Sequence, residues 1–111
     1  MTTIERERVR TVAAPAEVTA ADVLERAADL LEEFGWCQDD YGSRREGTLC
    51  LFGAFQEARR DFGLPMSGWS EDYLRPFRAV GILAPIWWND RPGRTKAEVV
   101  AKLREAAAAA R

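Results

Sequence analysis

Apolar residues that recur at the three- and four-residue spacing of an amphipathic helix constrain the fold of this 111-residue chain more than any other feature. The clearest run begins at Thr19 and ends at Phe34, just before Gly35. Thr19 and Asp22 have the spacing of a capping box, and glycine often ends a helix, so the start and the stop agree with the periodicity. The positions predicted to face the core are Val23, Leu24, Ala27, Leu30, Leu31 and Phe34.

A second helix is predicted from about Thr48 to Phe62, where Gly63 and Pro65 close it. Its first half is apolar on nearly all sides, so we expect that half to lie at the centre of the core. Gly53 lies inside this helix at a cost of about 1 kcal/mol relative to alanine. We therefore expect another helix to cross closely at Gly53.

The C-terminal third contains one irregular element and one regular helix. Ser70 is placed to cap a short helix, but Pro76 removes a backbone hydrogen bond, so we expect a bend or two short turns. Thr95 and Glu98 form a second capping box, which starts a last helix. Glu98 and Lys102 have the spacing of a favourable ion pair. The alanine-rich end of this helix has little to bury, and we expect it to fray.

These elements predict an all-α fold, a small bundle of three main helices plus a short bent helical element, with an irregular N-terminal arm. The arm covers residues 1–18, in which charges alternate in sign from Glu5 to Arg8, and we expect it to be flexible unless it pairs as a strand. Residues 19–111 form a single helical domain, since about 100 to 200 residues is the usual size of one domain.

Histidine is absent from the chain, which excludes catalytic triads and metal sites that depend on imidazole. Two cysteines are too few for a zinc or iron–sulfur site, and the adjacent acids Asp39 and Asp40 lack the pattern of a calcium loop. We expect Cys37 and Cys50 to be reduced thiols in the core or at its boundary. The sequence therefore predicts no metal, no cofactor and no enzymatic activity.

A formal net charge of −2 disfavours a nucleic-acid partner, because such proteins usually carry a basic excess. The N-terminal residues contain no apolar stretch typical of a secretion signal. The longest apolar stretch, residues 81–88, is too short to span a membrane and contains Pro85. We expect a cytoplasmic protein without a membrane partner.

Residues 36–47 form a polar loop between two predicted helices, where functional residues often lie. Its candidates for binding a ligand or a partner are Trp36, Tyr41, Arg44 and Arg45. In one interpretation, the arginines lie beside free amides at the start of the second helix and bind a small anion or nucleotide, on which an aromatic ring stacks. In the other, Trp36 fills the core and the charged residues are solvated.

Trp87 and Trp88 lie in an aromatic-rich stretch that precedes a turn. In an extended segment they point to opposite faces, so that one enters the core while the other turns toward the surface. An exposed tryptophan flanked by arginine is typical of a protein interface. The alternative is that the arm or the last helix covers both rings.

The polar residues after this stretch each have a structural task, and we interpret them first as a clasp that closes the fold. Asn89 and Asp90 can bond to nearby backbone amides, while residues 92–93 turn the chain. The clasp residues are Asn89, Asp90, Arg94, Thr95 and Glu98.

Several short motifs carry a family resemblance. They are residues 35–38 after an amphipathic helix, residues 47–50 with Gly53, and residues 88–90, 94–95 and 98–99 around the last turn. In these motifs the chain resembles a family of small proteins of unknown function found in actinobacteria and their phages, over about residues 20–108. The resemblance implies an intracellular domain, sometimes phage-encoded, with no catalytic residues to carry over.

The leading hypothesis is a non-enzymatic protein-interaction module, encoded by a phage or prophage, that modulates a host protein. Its expected partner-facing surface includes residues 36–47 and the stretch near Trp87. The alternative is a protein that binds a small ligand or nucleotide through Trp36, Tyr41, Arg44 and Arg45.

Overall fold

The first helix, α1 (Ala20–Glu33), starts and stops where the sequence pattern predicted. The Thr19 hydroxyl accepts a hydrogen bond from the Asp22 amide at 3.1 Å, and the Asp22 carboxylate accepts one from the Thr19 amide at 3.0 Å. The predicted core positions within α1 are fully buried, and Phe34, which ends it, is half-buried. The helix and its capping box are confirmed.

The computed structural model describes residues 17–111, so the prediction for the N-terminal arm lies almost entirely outside the described residues. Within that range the chain forms five helices and one small sheet. The later helices are α2 (Leu51–Asp61), α3 (Glu71–Ala79), α4 (Pro85–Asp90) and α5 (Lys96–Ala109). The helical prediction is therefore confirmed in its main part, and the prediction of an all-α fold is corrected by the sheet.

The sheet has three strands of two residues each: β1 (Gly35–Trp36), β2 (Gly42–Ser43) and β3 (Thr48–Leu49). β3 is central; it pairs in parallel with β1 and antiparallel with β2. The second helix is present, but its predicted start at about Thr48 was wrong, because residues 48–49 form β3 and α2 begins only after Cys50. Strands this short show no alternation, so nothing in the hydrophobic pattern marked them.

Gly53 in α2 is required by the loop and not by a crossing helix, so that expectation is also wrong. A Cβ atom at this position would lie 2.1 Å from the backbone oxygen of Tyr41. The same oxygen accepts a hydrogen bond from the Cys50 amide at 3.1 Å. The loop backbone therefore lies directly against the first turn of α2.

α3 and α4 replace the bent element and the extended stretch that the sequence predicted. α3 continues through Pro76 as one helix, and Pro76 is buried in it. Pro85 occupies the first turn of α4, where a proline costs no hydrogen bond. Trp87 and Trp88 therefore lie in a helix and not in an extended segment.

α5 packs along α1 and closes the core. Thr95 and Glu98 form the predicted capping box. The alanine-rich end was expected to have little to bury, but Ala106 and Ala107 are fully buried and the helix continues to Ala109. Small side chains let the two helices approach closely, which explains why a poorly amphipathic segment is part of the core.

Ion pairs on α5 differ from the pair expected between Glu98 and Lys102. Glu98 lies 3.7 Å from Arg94, while Lys102 pairs with Glu105 at 3.2 Å and donates to the carbonyl of Val80 at 3.1 Å. Val80 ends α3, so Lys102 satisfies one of the free carbonyls at the end of that helix. An ion pair with Glu98 on the exposed face of α5 would leave that carbonyl without this partner.

An aromatic cluster joins α2 to α3 at one side of the core. The Phe55 ring lies 4.2 Å from that of Trp69 and 4.6 Å from that of Tyr73, between centroids, and Trp69 lies 5.3 Å from Phe77. Within residues 17–111, no helix combines the length and the apolar character that crossing a bilayer requires.

Candidate functional site

Asn89 is the centre of the candidate site, and its side chain is buried with only 1% exposed. Its Oδ1 accepts hydrogen bonds from the indole Nε1 of Trp36 at 2.6 Å and from the first amide of α2, that of Leu51, at 3.1 Å. Its Nδ2 donates to the carbonyl of Cys37 at 3.2 Å and to Oδ1 of Asp90 at 2.9 Å. One amide side chain thus joins β1, the following loop, α2 and α4.

Neighbouring loop residues extend this network to the end of α4. Nε2 of Gln38 donates to the backbone oxygens of Asn89 at 3.0 Å and Arg91 at 2.8 Å. The amide of Asp39 donates to Oδ1 of Asp90 at 2.9 Å. Asp39 holds this position with a φ of 61°, a left-handed conformation that aspartate adopts more readily than most residues. The loop after β1 and the C-terminal end of α4 therefore form one bonded unit.

Arg94 fixes Trp88 on the other side of α4. Its guanidinium carbon lies 3.9 Å from the Trp88 ring centroid, and its Nε donates to the Trp88 carbonyl at 2.9 Å. Glu98, which pairs with Arg94, also caps α5 together with Thr95. The indole of Trp88 is half-buried against the core, so both its face and its backbone are held.

Trp87 projects away from all of these contacts and is 82% exposed. Leu83, which precedes α4, is 79% exposed beside it. Both residues line a shallow cavity of about 640 Å³. Its other lining residues are Gly81, Ala84, Trp88, Asp90, Arg91 and Pro92. The structure therefore presents a large aromatic side chain on α4 and an aliphatic one just before that helix.

A second cavity, of about 450 Å³, lies next to the first along α4. It is lined by Asp39, Asp40, Tyr41, Cys50, Ile86 and Asp90. Asp90 lines both cavities, so they meet at the end of α4. We call the two cavities together with α4 the α4 surface. It combines exposed apolar side chains with three carboxylates.

The four loop candidates do not converge on a single ligand site. Trp36 is held by Asn89, and the Tyr41 ring lies 5.4 Å from the Phe52 ring. Arg44 pairs with Glu57 at 3.0 Å and with Asp61 at 2.5 Å, so its charge is used to hold the loop on α2. The fourth candidate, at position 45, is exposed.

The start of α2 is also occupied, although the anion interpretation required free amides there. Asn89 accepts from the Leu51 amide, and Sγ of Cys50 accepts from the Gly53 amide at 3.3 Å. The nearest cavity, which Tyr41 lines, is acidic. Neither the amides nor the charge of this region favours an anion.

Both thiols are poor nucleophiles at neutral pH. Burial raises the pKa of Cys37, and the charges of Asp40, Asp90 and Glu46 raise it further, against a hydrogen bond with Thr48 that lowers it. Burial likewise raises the pKa of Cys50. Among residues 17–111, no three carboxylate or thiol groups are grouped as metal ligands.

The candidate residues named from the sequence did not include Gln38, Leu83 or Ile86, although Gln38 lies within residues 36–47 and Ile86 within the stretch near Trp87, both of which were expected to face a partner. Leu83 stands outside any helical period, and Ile86 has no role of its own within the aromatic-rich stretch. A glutamine that bonds to two backbone oxygens fifty residues away leaves no local signal. Their placement depends on the packing of α4 against the sheet.

Comparison with protein families gives a match. Residues 15–109 match the model of a family of unknown function, DUF6197. No curated protein and no solved structure matches the chain. The match covers nearly the whole described range, including all five helices and the sheet. The chain therefore belongs to the DUF6197 family.

Proposed function

We propose that this chain is a non-enzymatic protein-interaction module that binds its partner through the α4 surface. The observation that carries the proposal is the exposure of Trp87, at 82%, next to Leu83, at 79%. Tryptophan contributes more binding energy than most residues when a partner covers it, and large apolar side chains that cluster on a surface mark interaction sites.

Rigid support of α4 adds to this proposal. Asn89 and Arg94 fix the backbone and the neighbouring indole on either side of Trp87. A surface that is already ordered loses less conformational entropy on binding than a mobile one. Trp87 is therefore presented in a geometry suited to insertion into a partner pocket.

The non-enzymatic part of the proposal is supported by the chemistry of the available groups. The chain has no histidine, and the pKa values of Cys37 and Cys50 are raised by burial. A nucleophile or general base near neutral pH would need a different environment from those around these thiols.

Cellular context is part of the same proposal. We place the protein, encoded by a phage or prophage, in the cytoplasm of an actinobacterial host cell. There it modulates a host protein by covering a functional surface of that protein. Support comes from the motifs of residues 20–108, which resemble proteins of actinobacteria and their phages.

Trp87→Ala tests this proposal, with Met66→Ala as the matched control. Met66 is 70% exposed on the loop before α3 and does not line the α4 surface. Each chain is used to capture proteins from an actinobacterial lysate, and the captured proteins are quantified by mass spectrometry. We expect one stoichiometric partner that the wild-type and Met66→Ala chains retain and that Trp87→Ala loses by about 30-fold in affinity or more.

A partner held equally by all three chains would contradict the proposal. Melting temperatures measured with nucleotides and inorganic phosphate address the alternative of a small anionic ligand. Stabilisation that Arg45→Ala abolishes would favour that alternative instead.

A further inference from the structure

Building on the proposed function, we propose that the partner segment bound at the α4 surface is basic and carries an apolar anchor side chain next to arginine or lysine. The apolar part follows from the larger cavity, where Leu83 and Trp87 stand exposed beside the half-buried ring of Trp88. An aliphatic or aromatic side chain of the partner fits between these groups and removes their surfaces from water.

The basic part follows from the smaller cavity, which continues the same surface past Asp90. Its apolar wall consists of Tyr41, 57% exposed, and Ile86, while Asp39, Asp40 and Asp90 supply three carboxylates. Within residues 17–111, none of these three lies within ion-pair distance of an arginine or lysine.

Several other acidic residues of the described chain are neutralised by ion pairs. Glu57 and Asp61 pair with Arg44, and α1 supplies Glu25, Asp29 and Glu32, which all pair with one arginine of α5. Ion pairs within the chain are therefore common among its described acidic residues. On the α4 surface, three carboxylates without such ion pairs in the described part of the chain border exposed apolar side chains. Among residues 17–111, Arg91 is the one cation that lines either cavity, and it lines the larger one.

Charge complementarity selects the occupant. A cationic side chain beside the three carboxylates gains Coulomb energy that a neutral or anionic one does not, and the effect is stronger in a concave, partly desolvated site. A second copy of this chain would bring its own carboxylates toward the first set, and like charges that face each other disfavour that contact.

Selection from a library of random peptides displayed on phage tests the inference with the full chain as bait. We expect the enriched peptides to carry net positive charge and at least one large apolar residue, relative to peptides selected on Trp87→Ala. Neutral or acidic enriched peptides would overturn this inference and leave the proposed function standing. No enrichment over the Trp87→Ala chain would overturn both.

Matched charge variants then measure the acidic contribution. Asp39→Asn with Asp40→Asn removes two charges at the cavity, whereas Glu33→Gln with Asp72→Asn removes two exposed charges elsewhere. By fluorescence anisotropy of an enriched labelled peptide, we expect the first pair to weaken binding by about tenfold and the control pair by less than about twofold, with the difference shrinking at high salt.

Equal effects of the two pairs would show that net charge, and not this cavity, attracts the peptide, and would overturn the inference. Sedimentation velocity of the wild-type chain and the Trp87→Ala chain covers the remaining occupant. Self-association that Trp87→Ala abolishes would replace the basic segment with a second copy of the chain.

Discussion

Replacing Asn89 with alanine should destabilise the fold more than replacing any exposed residue of the α4 surface. Asn89→Ala removes the partner of four groups: the Leu51 amide, the Trp36 indole, the Cys37 carbonyl and Oδ1 of Asp90. The last of these keeps its hydrogen bond from the Asp39 amide. Water cannot replace Asn89 at the Leu51 amide, because Leu51 is fully buried. The cost is therefore set by unsatisfied polar groups and not by a lost apolar contact.

The magnitude follows from how accessible each orphaned group is. The buried Leu51 amide costs about 1 to 3 kcal/mol when it loses its acceptor. Trp36 and Cys37 are half-buried, so water replaces part of each bond and each loss adds about 0.5 to 1 kcal/mol. Alanine returns about 0.5 kcal/mol through its higher helix propensity. The net loss in unfolding free energy is about 3 kcal/mol, which lowers the Tm by roughly 12 to 24 °C in a domain of this size.

Urea unfolding followed by tryptophan fluorescence measures this loss. Trp36→Phe is the matched control, because it keeps an aromatic ring in the core but removes the N–H that donates to Asn89. We expect that change alone to cost about 1 kcal/mol. Because the two residues share a hydrogen bond, the double variant should lose less than the sum of the single losses, by about 0.5 kcal/mol or more.

Two results would refute this reasoning. A loss below about 1 kcal/mol for Asn89→Ala would mean that the orphaned groups find other partners. Strict additivity of Asn89→Ala and Trp36→Phe would mean that their hydrogen bond contributes nothing. Asn89→Asp provides a further check, since it keeps the shape but removes the donors and places a second carboxylate beside Asp90; it should be no more stable than Asn89→Ala at neutral pH.

Other parts of the structure yield three further predictions. Gly53→Ala should lower the unfolding free energy by about 1 to 3 kcal/mol, because the new Cβ would meet the backbone oxygen of Tyr41. The control is Gly68→Ala, whose Cβ meets nothing within 4 Å, and it should change the unfolding free energy by less than about 0.5 kcal/mol in parallel urea titrations. Arg104→Ala should cost about 1 kcal/mol at low salt and less at about 1 M NaCl, since it loses three partly exposed carboxylate partners on α1. The pKa values of Cys37 and Cys50 are raised, so modification by a thiol reagent should be slow at neutral pH and accelerate above about pH 9, first at the half-buried Cys37. The unfolding free energy should fall in the same alkaline range, because the folded state favours the neutral thiols. Fast modification at pH 7 would contradict both predictions.

Local signals account for the elements that the sequence predicted well. Thr19 with Asp22 and Thr95 with Glu98 each form a complete capping box within four residues of chain, and the helix period follows directly. Such signals depend on neighbours in sequence, so one chain is enough to read them.

Long-range contacts account for the elements that it did not. The sheet depends on Gly35 lying beside Thr48, and Gly53 is explained only by the position of the Tyr41 carbonyl. The sequence suggested Arg44 as an anion ligand, but in the fold Arg44 forms ion pairs with Glu57 and Asp61 of α2. In each case the deciding partner lies more than ten residues away, where composition and period say nothing.

The exposure of Trp87 follows from the burial of Asn89, although the sequence alone left open which tryptophan faces solvent. A six-residue helix such as α4 is too short to be stable alone, so tertiary contacts must set its rotation. Successive helix positions differ by about 100°, which places Trp87 about 200° from Asn89 and turns it outward, while Pro85 lies about 40° away and turns inward. Both expectations agree with the burial of Pro85 and the exposure of Trp87. Because one buried amide sets this rotation, the same hydrogen bonds that stabilise the fold also determine which side chains a partner meets.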